Sequence, residues 1–308
     1  MKRAWTTLVC GLLIGAGCGT PPKPRSAFTA GSSEDFERLM QSGQDAYRGG
    51  DLDNAGRRFQ LALTYARERD RPNLISEAAY HLAAVQFSSG RQDDALALLA
   101  EAEWDAARVG LETADIELLR ARILHRLGRN AEARQRLTLL ISRSGLNPKT
   151  EVLAYLLMIE SADRETTPEE LRGWASRAEL AQGMIDDPLV RGQVREAILS
   201  LEDAGDDPSR IAAGLDDAAD SYREAGASSR LAGVLSRAGD QWAAAGRVDI
   251  ALNRWVRAAR SLSAPGDETK AMALIEKCRE HLHEIDDPYL HEIIEALHRE
   301  LTAGTADR

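Results

Sequence analysis

This 308-residue chain has none of the short motifs by which common catalytic and nucleotide-binding sites announce themselves. There is no G-x-S-x-G nucleophile elbow, no P-loop, no dinucleotide-binding glycine fingerprint and no H-E-x-x-H. That favours a binding protein over an enzyme, with no cofactor expected. Basic charge is also in deficit: 39 Lys and Arg face 49 Asp and Glu, a net charge of −10 with a pI near 5.2. Neutralising a phosphate backbone takes a Lys/Arg-rich surface, so nucleic acid is excluded as a partner, and so is a dedicated anionic-membrane surface. Aromatic residues make up only 5% of the chain while alanine is abundant, which suits thin, closely packed helices. Cysteine is scarce, limited to Cys10, Cys18 and Cys278.

The amino terminus is laid out as a secretory signal. Lys2 and Arg3 form a positive n-region, Leu8 to Ile14 an apolar core, and Gly15-Ala16-Gly17 a run of small residues before Cys18. The apolar run is too short to cross a membrane as a helix. Small residues ending at a Cys resemble the lipobox of bacterial lipoproteins, with Gly15 where that family prefers Leu. The resemblance implies lipid attachment at Cys18 after removal of residues 1–17; an ordinary cleaved signal with a chance Cys is the alternative. Gly19 rather than Asp after the Cys leans the resemblance toward the outer membrane, facing the periplasm. Cys10 would leave with the signal and Cys18 be acylated, so Cys278 would be the one free thiol and no internal disulfide could form. Residues 18–33 hold the lipidated Cys and a Pro-, Ser- and Gly-rich stretch that reads as a flexible tether.

Beyond the tether a small pattern recurs. A Gly is followed by Ala at +5, a bulky apolar residue at +9 and a small or apolar residue at +12: Gly50/Ala55/Phe59/Ala62, Gly90/Ala95/Leu99/Ala102, Gly128/Ala133/Leu137/Leu140 and Gly246/Ala251/Trp255/Ala258. A small residue precedes each Gly by seven positions: Gly43, Ala83, Ala121 and Gly239. The first three glycines are 40 and 38 residues apart, and Gly128 to Gly246 is 118, three periods of about 39. Two eroded units therefore belong in the gap, turning near Ser161–Pro168 and Gly205–Pro208, and a seventh hairpin turns at Asp286-Asp287-Pro288. Apolar residues fall at helical spacing within each unit, as at Ala95, Leu98, Leu99 and Ala102. The Gly stops the first helix in a left-handed conformation, the small residues let the two helices approach, and the +9 side chain fills the gap toward the next unit. A lone hairpin cannot cover its apolar face, so the units must stack.

These positions resemble the tetratricopeptide repeat, although the period of 39–40 exceeds that family's usual length. The resemblance, over residues 34–302, implies an all-α, right-handed α-solenoid of six to seven helical hairpins, with residues 303–308 a disordered tail. It also implies a concave wall made of the first helices, which projects Tyr47, Arg48, Tyr80, Phe87, Arg122, His125 and Arg126. Aromatic and Arg side chains are frequent interface anchors, and the Arg/His group could hold a partner's acidic segment; the alternative is that the aromatics pack and the Arg side chains are solvated.

Other groups are read as structural. The four tryptophans after the signal, Trp104, Trp174, Trp242 and Trp255, fit packing between helices. The pairs Asp93-Asp94, Asp186-Asp187, Asp216-Asp217 and Asp286-Asp287 fit turns and helix starts, where carboxylates cap and complement the helix dipole. His281, His283, His291 and His298 lie near Cys278, but zinc needs about four ligands at one point and His281 and His283 diverge on a helix. No metal is expected there. The expectation is a lipid-anchored scaffold of the cell envelope that binds a protein or peptide in its concave groove. A receptor for a small ligand or cell-wall fragment, and a metal-dependent enzyme or metal-stabilised module at the His-rich end, are the alternatives.

Overall fold

The protein was examined as a computed structural model, which describes residues 34–202, 207–262 and 267–306. Among the described residues there are fourteen α-helices, one 3₁₀ turn and no strand. They pair as seven hairpins: α1 (Glu34–Arg48) with α2 (Leu52–Glu68), α3 (Pro72–Ser88) with α4 (Gln92–Arg108), α5 (Ala114–Arg126) with α6 (Asn130–Ile141), α7 (Pro148–Glu160) with α8 (Pro168–Gln182), α9 (Pro188–Ser200) with α10 (Pro208–Glu224), α11 (Ser228–Ala244) with α12 (Val248–Ser261), and α13 (Glu268–His281) with α14 (Pro288–Ala306). Each helix packs on its chain neighbours. The result is an all-α solenoid of tetratricopeptide-like hairpins, and both eroded units are present. Cys18 and the signal lie outside the described residues, as does Gly205 of the fifth turn. The final helix reaches Ala306, past residue 303 where a disordered tail was expected.

The repeat is a clock of 20 residues, struck twice per hairpin. From α7 onward eight successive helices start 20 residues apart, at Pro148, Pro168, Pro188, Pro208, Ser228, Val248, Glu268 and Pro288. Two kinds of signal keep that time. At Gly50 the backbone turns left-handed (φ 80°), the Gly50 N–H reaches the Tyr47 carbonyl and the Asp51 N–H the Ala46 carbonyl, satisfying the last carbonyls of α1. The same pair of bonds follows residues 70, 90, 110, 128, 226 and 246. In the middle of the chain the mark moves from helix stops to helix starts. Pro148, Pro168, Pro188 and Pro208 each occupy the first turn, where a missing N–H costs nothing. Asn147, Thr167, Asp187 and Asp207 cap those four helices with their side chains, and Thr167 and Glu170 complete a reciprocal capping box.

Packing inside a hairpin follows a size rule. A Cβ on Gly43 would lie 2.6 Å from the Phe59 ring, and one on Gly239 would lie 2.4 Å from Trp255. At the equivalent repeat positions Ala83 and Ala121 stand in place of that Gly and the smaller Leu99 and Leu137 in place of the ring, each pair within one core cluster. Every one of these side chains is essentially fully buried. Each large ring also reaches the next hairpin: Phe59 stacks on His81 (centroids 5.2 Å apart) and Trp255 meets His281 (5.4 Å). The core is relayed along the chain rather than concentrated. α5 gives Ile116, Leu119 and Ile123 to the first cluster and Leu118, Ala121 and Leu124 to the second.

Two local expectations are corrected. Trp104 is 63% exposed on α4, lying under the Arg108 guanidinium rather than between helices. Asp216-Asp217 is in the middle of α10, not at a turn. Asp216 accepts from Trp242 Nε1 (3.0 Å) and from Arg254, tying α10 to α11 and α12. Capping holds at Asp187 and Asp287.

Gly43→Ala should cost about 1–3 kcal/mol, the usual penalty for overpacking. Adding Phe59→Leu, which recreates the Ala83/Leu99 pairing, should recover about 1 kcal/mol relative to the summed single effects. Urea unfolding of the four proteins tests this, and strict additivity would rule out the size rule.

Candidate protein-binding groove

The alternate helices α3, α5, α7, α9 and α11 form one wall of the solenoid. The residues expected on it separate into two groups. Tyr47, Tyr80 and Phe87 are half-buried against the core of the first two hairpins. Tyr47 Oη is 2.8 Å from Ser88 Oγ, joining α1 to α3, and the Tyr80 ring meets His81 edge-on (5.3 Å). These aromatics bind the wall together. Arg48 is exposed and donates to Asp45 on its own helix (2.7 Å). The second group, on α5, points outward: Arg122 and Arg126 are exposed, and His125 Nδ1 lies 2.9 Å from Asn130 Oδ1.

What α5 faces was not expected. Glu160, the last residue of α7, is exposed, yet enough protein surrounds it to raise its carboxyl above the usual range. Arg122, His125 and Arg230 oppose that shift, while Glu196 adds to it. Its surroundings are thus partly desolvated although the side chain itself stays open to water. Side chains from α5, α7, α9 and α11 therefore share one electrostatic neighbourhood.

The far side of this groove is built around Glu196 of α9. It accepts from Tyr222 Oη (2.5 Å) and from Arg237 (2.7 Å), with Arg230 at 4.0 Å. Tyr222 belongs to a second helix, α10, and reaches Glu196 because Gly192 leaves room: a Cβ there would lie 2.9 Å from the ring. Burial and the Glu196 carboxylate push the Tyr222 phenol above its ordinary range, so it is a fixed hydrogen-bond donor. Glu160, Glu196, Arg230 and Arg237 were missed in the sequence because no two share a residue type at one repeat position. They stand on successive first helices, α7, α9 and α11, at different distances from each helix start.

The groove can orient a charged partner through basic and acidic groups in alternation. The His-rich end gives no ligand set: His281 pairs with Glu284 (2.5 Å), His298 with Glu276 (2.9 Å), and His291 bonds the Leu282 carbonyl (3.1 Å). No group of three or more potential ligands converges among the described residues. Burial pushes the Cys278 thiol up to about 12, which disfavours the reactive thiolate.

No protein-family model and no curated protein matches the chain. Among solved structures it is similar to BtubC (BKLC) from P. vanneervenii, at 19% identity and a TM-score of 0.54, over 73% of this chain and 90% of that one. A tetratricopeptide repeat protein from Parabacteroides merdae matches at 14% identity and a TM-score of 0.43, over 86% and 99%. The first of these likenesses shows the shared fold.

One wall residue carries a pH signature. Burial lowers His81 to about 4 from an ordinary 6.5. Between those values the unfolded chain holds a proton that the folded one refuses, so the His81 contribution is lost as pH falls from 6.5 to 4. The loss amounts to at most about 3 kcal/mol. Glu77, Asp115 and Glu160 are raised and act with the opposite sign. The comparison is therefore between the protein and His81→Gln: the variant's stability should decline less over that interval, and parallel curves by urea titration would refute the assignment.

Proposed function

We propose that this chain is a non-catalytic scaffold of the bacterial cell envelope, lipid-anchored through Cys18, that holds a protein or peptide partner in its concave groove. The single observation that carries the binding role is the charged cluster that Arg122, His125, Glu160, Glu196 and Arg230 form across α5, α7, α9 and α11. A solenoid distributes its core along its length, leaving an extended wall whose residues are free to contact a partner. The anchor rests on the sequence: a short positive segment, an apolar run and small residues before Cys18. No helix among the described residues is long and apolar enough to cross a membrane, so attachment in this reading is through acyl chains on Cys18. The side chain of Arg122 presents positive charge beside Glu160, and with the His125 ring next to it suits a segment that brings its own carboxylate.

Two experiments test the two halves separately. Cys18→Ala should abolish palmitate labelling and move the protein from the membrane to the soluble fraction; unchanged labelling would refute the anchor. Crosslinking in native envelopes should recover a defined protein partner, and Arg122→Glu should weaken that capture by about tenfold, the loss expected when attraction at one close charge pair turns to repulsion. Undiminished capture by the variant would take the partner out of this groove.

A further inference from the structure

The first two hairpins enclose a second concavity away from the charged wall. It is a groove of about 500 Å³ between α2 and α3, near the turns at Gly50 and Gly90. Its apolar lining is Leu52, Leu61 and Leu82, with Leu61 53% exposed. Two guanidinium groups border it, Arg57 and Arg91, and neither has an ion pair, hydrogen bond or ring contact. On the same two hairpins Arg67 pairs with Glu101 and Arg108 with Asp70 and Asp105, while Arg58 and Arg71, outside the groove, are likewise without an ion pair. Asp53, the one carboxylate on the lining, pairs with neither arginine. In a chain of net charge −10, two unpaired cations on one groove are a local reversal of sign.

A further group lacks a partner. Gln86 Oε1 is enclosed in the groove wall and accepts no hydrogen bond. An enclosed acceptor without a donor is unfavourable. Gly56 keeps the space open, since a Cβ there would touch only Val85 Cγ1, at 3.5 Å. Gly inside a helix is destabilising, and here ordinary packing does not require it.

We infer that this groove docks a protein segment that carries an acidic side chain next to an apolar one. Its carboxylate meets Arg57 and Arg91, and its apolar side chain lies on Leu52, Leu61 and Leu82 over Gly56. A polyanion does not suit the site, because the protein around it is acidic. The chain's own residues 19–33 do not suit it either: they contain Lys23 and Arg25 and no Asp or Glu. The inference is independent of the concave-groove reading, and its residues are on different helix faces from Arg122 and His125.

The test is selection of a random-peptide display library on the full chain, followed by affinity measurement with the synthesised enriched peptide. Peptides pairing Asp or Glu with a large apolar residue should emerge. The Arg57→Glu/Arg91→Glu double variant should bind them at least about tenfold more weakly, as expected for turning charge attraction into repulsion. Gly56→Leu should lose binding with its melting temperature unchanged or raised, and Arg122→Glu should bind as the parent does. Enrichment of peptides without an acidic residue, no enrichment at all, or equal binding by the double variant would overturn the inference. So would displacement of the enriched peptide by a synthetic peptide of residues 19–33, or self-association abolished in the double variant, since the occupant would then be this chain itself.

Discussion

The contact on which this solenoid depends is one between a missing side chain and a large one. Two helices of a hairpin come together only as closely as the residues between them allow, and here the smaller partner is matched to the larger: Gly43 to Phe59, Gly239 to Trp255, Ala83 to Leu99, Ala121 to Leu137. The ring that fills the Gly-sized gap then extends to a histidine of the following hairpin. One side chain thus fixes both the spacing within a unit and the offset to its neighbour. Tyr222 uses the same device over Gly192, and there the geometry delivers a phenol to Glu196 on the inner wall. The wall exists because the packing behind it is tight.

Charge is arranged around that frame according to place. At seams between helices it is paired: Arg254 with Asp216, Lys149 with Asp187, Arg134 with Asp163. These pairs are part-buried, and their effect is to fix which surfaces face one another. In the concave groove the charges alternate and are only partly matched, as around Glu160. Beside Gly56 they are unmatched altogether.

Much of the fold was legible because repetition makes weak signals add. The four Gly/Ala patterns located four turns, and arithmetic on the 118-residue gap placed two more units where α7 to α10 stand. The units look eroded when judged by helix stops alone. Their clock is carried by Pro148, Pro168, Pro188 and Pro208 with a capping residue before each, a signal of equal regularity in a different residue type. The groove was only partly legible. Tyr47, Tyr80 and Phe87 are aromatic where an interface would want them, but their neighbours are other wall residues, and only contacts across hairpins reveal that. Glu160 and Glu196 could not be recognised by type, since their role comes from what stands one unit away. Gln86 and Arg57 are ordinary in sequence and unusual only in lacking partners.

The 20-residue clock has an arithmetic consequence. Consecutive helices alternate between the inner and outer walls, so the walls stay distinct only while the count of helices between any two points keeps its parity. Gain or loss of a single helix would exchange inside for outside in everything downstream, moving Glu196 and Arg237 to the far surface. Length can therefore change in this protein by steps of two helices, and a duplicated or deleted pair would leave the remaining groove in phase.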